Sequence, residues 1–74
     1  MEPTELDLLS TLAVENDELR HLWGRHQAFE RDLARLGGVH HPSEAERREM
    51  GRIKRMKLRG KERMHAILDA HRNV

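Results

Sequence analysis

Two Glu-x-x-His motifs are the sharpest chemical signal in this 74-residue chain. They are Glu18-Leu19-Arg20-His21 and Glu62-Arg63-Met64-His65. A carboxylate and an imidazole three residues apart share one helix face, and helical bundles hold dinuclear metals in that way. The apolar pattern around the motifs opposes this use. Leu19 and Leu22, then Met64 and Ile67, occupy the apolar seam, so Glu18 and Glu62 fall beside it while His21 and His65 point away. Of the further carboxylates such a centre needs, only Glu15 has a seam position, and the expectation is no metal and no cofactor. His40-His41 reads as a solvated loop pair. Ser10 and Ser43 are the only serines and there is no Cys. A thiolate zinc site, a thiol nucleophile and a disulfide framework are therefore unavailable, and no nucleophile–base arrangement can be assembled. The chain is read as a non-enzyme. A small secreted domain usually needs disulfides, so their absence favours a cytoplasmic setting.

Charge is the second signal. The formal net charge of +1 hides an uneven division: residues 1–42 hold 8 acidic and 4 basic side chains, residues 43–74 hold 5 and 10. The excess lies between Arg47 and Arg63, where nine basic residues stand against two acidic ones, Glu49 and Glu62. Arg47, Arg48, Arg52, Lys54, Arg55, Arg59, Lys61 and Arg63 form a candidate surface for a polyanion such as DNA or RNA, or for an anionic membrane. No aromatic interleaves this run, so base-specific readout is not expected. The alternative is internal. Folding the chain about Val39–His40 brings Lys61 and Arg63 towards Glu15, Asp17 and Glu18, and brings Arg47 and Arg48 towards Glu30 and Asp32. Many weak pairs then select an antiparallel register.

The elements that must position these groups are helical. Apolar residues in the first half alternate at spacings of three and four, in the rows Leu12, Leu19, His26, Leu33 and Leu8, Glu15, Leu22, Phe29, Leu36. Seven of these nine positions are apolar, which predicts one amphipathic helix over about 4–36 with coiled-coil-like spacing. Pro3-Thr4 starts it, Thr4 or Ser10 could cap it, and Gly37-Gly38 offers a left-handed stop. A breaker occupies 37–42. Ser43-Glu44-Ala45-Glu46 is a capping box that opens a second helix over about 43–71. The second seam, Met50, Ile53, Lys57, Gly60, Met64, Ile67, His71, is interrupted in its middle. The Met residues Met50, Met56 and Met64 read as core filler, and His26 as a partly buried seam histidine or a pH-responsive group. Gly24, Gly51 and Gly60 lie inside helices at a cost of about 1 kcal/mol each.

The fold class is therefore all-α: one antiparallel two-helix hairpin, coiled-coil-like, over 1–74. The self-association seam is Leu12, Leu19, Leu22, His26, Phe29, Leu33, Leu36, Met50, Ile53, Met64 and Ile67. So thin a hairpin buries little, which predicts pairing into a bundle, a homo-dimer first of all. Leu58 lies nearly opposite the second seam and would stay uncovered. The longest strictly apolar runs are three residues, Leu12-Ala13-Val14 and Ala66-Ile67-Leu68, too short for a membrane span.

Several of these residues also carry a resemblance. Leu22, His26, Phe29-Glu30, Leu33, Leu36, His41-Pro42-Ser43, Ile53-Lys54, Lys57-Leu58, Lys61-Glu62, Met64 and Leu68 resemble the YdcH family of small bacterial coiled-coil hairpin proteins. The resemblance spans Leu19 to Leu68, departing from the family at Ile53, Glu62 and Gly60. It implies a helical hairpin in a bacterial cytoplasm and supplies no catalytic residues. The functional expectation is an interaction or scaffold module that binds itself or a helical partner, with polyanion binding by the second helix as the alternative.

Overall fold

The computed structural model describes residues 2–72 of the chain. Three helices and no strand occur among them: α1, Pro3–Ala13; α2, Asp17–Gly37; α3, Glu44–Arg72. The all-α class holds. The single long first helix does not, because the chain breaks between Ala13 and Asp17. Amides of Glu15 and Asn16 both donate to the Leu12 carbonyl, at 3.0 and 2.9 Å, and tighten the end of α1. Asn16 then turns extended (φ −120°, ψ 106°) and its side chain accepts from the Leu19 amide at 2.9 Å. This is a side-chain N-cap, with Asp17 and Glu18 in the first turn where the helix dipole favours negative charge. Thr4 and Ser10 are not caps; α1 begins at Pro3 after Glu2, with no side-chain cap. Glu15, expected on the seam, lies exposed in the break.

The break reorients α1. Freed from the phase of α2, it folds onto the far end of the α2–α3 pair, touching both helices. Leu9, Leu19, Met64 and Leu68 form the buried cluster there, with Leu8, Leu12, Leu22, Trp23 and Ile67 packed around it. Leu9 is fully buried, although the seam rows passed through Leu8 and Leu12 instead. Rotation of α1 is the reason, since a cap between two helices uncouples their faces. Leu68, a flanking position in sequence, is buried for the same reason: it receives α1.

At the other end, α2 runs unbroken through Gly24 to Gly37. Its stop is not left-handed: Gly38 has φ −82°, and its amide donates to Ala34 at 3.2 Å. The left-handed residue is His41, at φ 59°, which swings the chain into Pro42 and α3. The capping box forms as its sequence predicts. Ser43 N–H donates to Glu46 at 2.9 Å, and Glu46 N–H donates to Ser43 Oγ at 3.1 Å. Backbone and side-chain hydrogen bonds from Ser43 hold the Glu46 carboxyl below its ordinary range.

The molecule measures 48 × 20 × 17 Å with a radius of gyration of 14.5 Å, against about 11 Å for a compact chain of this length. The length is that of α3, whose 29 residues extend about 43 Å. No helix among the described residues is long and apolar enough to cross a membrane.

Two substitutions test this account by thermal unfolding at fixed protein concentration. Asn16→Ala removes the cap that sets α1, and is expected to cost about 1 kcal/mol, which lowers Tm by roughly 4–8 °C. Gly24→Ala should act in the opposite sense by a similar amount, because a Cβ there meets nothing within 4 Å.

Candidate functional site

The apolar seam is buried at its two ends and open in the middle. Leu19, Met64 and Leu68 are covered under α1, and Leu36 and Ile53 are covered on the turn side. Between them lies a groove of about 360 Å³, walled by Leu22, Arg25, His26 and Phe29 of α2 and by Met56, Lys57, Arg59 and Gly60 of α3. Of the expected seam residues, Leu19, Leu36, Ile53 and Met64 are buried. Leu12, Leu22, His26, Phe29, Leu33, Met50 and Ile67 are only partly so. At Leu22 and Phe29 the facing side of α3 offers Gly60 and Lys57 beside Met56, which leaves the groove between them partly open.

His26 sits at the groove wall with its side chain 14% exposed. Its ring stacks on Trp23, one helical turn earlier, with centroids 5.5 Å apart and planes 11° off parallel. Nε2 lies 3.7 Å from a Glu30 carboxylate oxygen, while Nδ1 is buried with no hydrogen-bond partner. Burial is the main force pushing the imidazole pKa below its ordinary 6.5; Glu30 opposes this, and Lys57 and Lys61 add to it. Glu30 is ion-paired with Lys57. That hydrogen bond is the largest cause of its lowered pKa. The Arg25 guanidinium lies 5.4 Å from the Phe29 ring centroid, a cation–π contact at the groove rim.

One member of each Glu-x-x-His motif meets a side chain of another helix. Glu18 accepts from Arg63 through two nitrogens, at 2.8 and 3.3 Å. His65 lies 3.5 Å from Glu5 of α1. His21 is exposed, and no group of three or more potential metal-ligating side chains occurs among the described residues. His40 and His41 meet edge to face at 4.1 Å in the turn.

The charge register is only partly the expected one. Arg63 reaches Glu18, but Arg47 and Arg48 do not reach Glu30 or Asp32. Glu30 instead takes Lys57, and Asp32 lies 3.9 Å from Arg35 on its own helix. Lys57 wins because it projects from the seam side of α3, whereas Arg47 turns back to the Pro42 carbonyl at 3.3 Å. Arg52 pairs with Glu49. Among the described residues no carboxylate pairs with Arg48, Lys54, Arg55, Arg59 or Lys61, so much of the basic excess remains at the surface.

Sequence reasoning missed Leu9, Trp23 and the Asn16 cap. The polar string Glu15-Asn16-Asp17-Glu18 was the available signal for the cap, as an Asn followed by acidic residues is a helix start. Compared with family models, with curated proteins and with solved structures, the chain matches none.

The imidazole environment has a measurable consequence. In the unfolded chain His26 titrates near 6.5 and in the folded chain lower. Below about pH 6.5 the unfolded state therefore binds more protons, and stability declines as pH falls. Denaturant titrations from pH 7.5 to 5 should show this decline, and His26→Leu should flatten it. An unchanged pH slope in the variant would exclude His26 as its source.

Proposed function

We propose that the protein is a non-catalytic interaction module that works by self-association, with a second copy of the chain covering the groove between α2 and α3. The carrying observation is the groove itself, where Leu22, Phe29 and Met56 stay partly open at mid-seam between the cationic side chains of Arg25, Lys57 and Arg59. The accessible surface supports it. It measures 5455 Å², against roughly 4,700 Å² for a compact monomer of this mass. The difference is close to the roughly 800 Å² that one partner contributes to a standard stable interface.

Gly60 supports the same reading. A Cβ at Gly60 meets nothing within 4 Å, so nothing inside the chain requires glycine there. Its helix cost of about 1 kcal/mol makes sense if another backbone or ring approaches the groove floor. Pairing two such units into a bundle gives the half-buried Phe29 and Met56 an apolar neighbour. The resemblance of residues 19–68 to the YdcH family belongs to this proposal, as does the bacterial cytoplasmic setting, which rests on that resemblance and on the lack of Cys.

Sedimentation equilibrium from micromolar to millimolar chain is the test. The expected result is a concentration-dependent rise from 8.7 kDa to twice that mass. Gly60→Lys raises helix propensity and fills the groove, so it should keep or increase helicity while shifting the chain to monomer. A wild-type chain that stays monomeric throughout, or a Gly60→Lys variant that associates as well as wild type, would refute the proposal.

A further inference from the structure

The outer face of α3 is not used by the fold, and it meets the groove only at Arg59. Arg48, Arg52, Arg55 and Arg59 follow one another at steps of four, three and four residues, which stacks them on one side of the helix. All four are exposed. The buried Ile53, Met64 and Leu68 occupy the opposite side, so the stripe faces away from α1 and α2. From Arg48 to Arg59 it extends about 16 Å along a continuous helix. Only Arg52 has a carboxylate partner among the described residues, its neighbour Glu49. The stripe carries Gly51 within it, and the Arg55 guanidinium bends over that glycine, 3.5 Å from where a Cβ would stand. The result is a shallow notch beside the stripe, lined by Arg47, Arg48, Arg52 and Arg55 together with the carboxylates of Glu44 and Glu49, the latter held by Arg52.

We infer that this arginine stripe is a binding site for the phosphate backbone of a double-helical nucleic acid. Double-stranded DNA carries one negative charge per about 1.7 Å of axis, so a 16 Å contact passes roughly ten phosphates, of which those facing the protein can meet the guanidinium groups. Guanidinium donors match phosphate oxygens in a two-pronged geometry that ammonium groups do not. Both aromatics of the chain, Trp23 and Phe29, lie on α2. With none on the stripe there is no platform for unstacked bases, which favours a duplex over a single strand. A membrane surface fits less well. Leu58 is the only exposed large hydrophobic residue of α3 among those described, and an interfacial helix needs an apolar face to insert. Contacts confined to phosphates predict binding without sequence preference. Arg59 also touches the groove rim, whereas Arg48 and Arg55 do not line it; the site therefore stands in a single chain and does not rest on self-association.

Fluorescence anisotropy with labelled 20-base-pair duplexes of mixed sequence, one DNA and one RNA, tests the inference. Parallel arms carry a single strand of equal length and vesicles rich in phosphatidylserine. Three to four phosphate contacts per chain give a log–log salt slope of about −3, or an affinity loss on the order of 10²-fold between 50 and 200 mM salt. Arg48→Glu/Arg55→Glu should weaken duplex binding at least 10-fold. Arg20→Glu/Arg31→Glu makes the same charge change on α2 and should leave binding within about 3-fold. Circular dichroism checks that both variants remain helical. Binding to either duplex with this pattern supports the site, and the DNA and RNA arms tell which helix form it takes. No binding to either duplex at 20 mM salt, equal loss in both variants, or binding to the single strand or vesicles in preference to duplex would each overturn it.

Discussion

Everything in this fold depends on where a short supply of apolar side chains is concentrated. Leu9, Leu19, Met64 and Leu68 form the one cluster in which three helices meet, and it exists because α1 folds back over the end of the α2–α3 pair. A helix continuing straight from α2 would have carried Leu9 away from Met64 and Leu68. The Asn16 cap makes the fold-back affordable in hydrogen bonds, since ending one helix and starting another leaves orphan amides that the cap and the Asn16–Leu12 turn satisfy in part. A side chain of one amide group thus decides which leucines are core.

The same shortage explains the open groove. With the apolar residues of α1 committed to one end, and Leu36 and Ile53 covered near the turn, mid-seam is left to Phe29, His26, Met56 and Gly60. Polar groups fill in where hydrocarbon runs out. Glu30 and Lys57 bridge the two helices beside the groove, and His26 is wedged against Trp23 with one nitrogen unpaired. An exposed ion pair of this kind contributes at most about 1 kcal/mol, so it chooses register more than it holds the helices together. The unpaired imidazole nitrogen has the opposite effect, and burial lowers the His26 pKa against the pull of Glu30.

Charge has two destinations in this molecule. Glu18–Arg63, Glu30–Lys57 and Glu5–His65 tie the acidic first half to α3. The arginines on the outer side of α3 have no such partner to reach, because a helix packed on one side can offer only that side to its neighbours. Cohesion and surface potential therefore come from one basic helix through two of its faces.

The all-α class and the last helix were legible in the sequence, as were the breaker at 37–42, the Ser43–Glu46 capping box, the uncovered Leu58 and the asymmetry of charge, whereas the one long first helix is two. Each of these is written in contacts within about four residues or in simple composition. The break at Asn16 was partly legible in its polar string, but an unbroken three-and-four spacing through Glu15 concealed it. Tertiary structure alone decided the rest: the rotation that buries Leu9 and exposes Glu15, the choice of Lys57 over Arg47 for Glu30, the stacking of Trp23 on His26 at the groove wall, and the gap over Gly60. The physical reason is common to all of them. Local spacing states which face of a helix is apolar, while the partner that face meets, and how completely, depends on segments that approach only when the chain has folded.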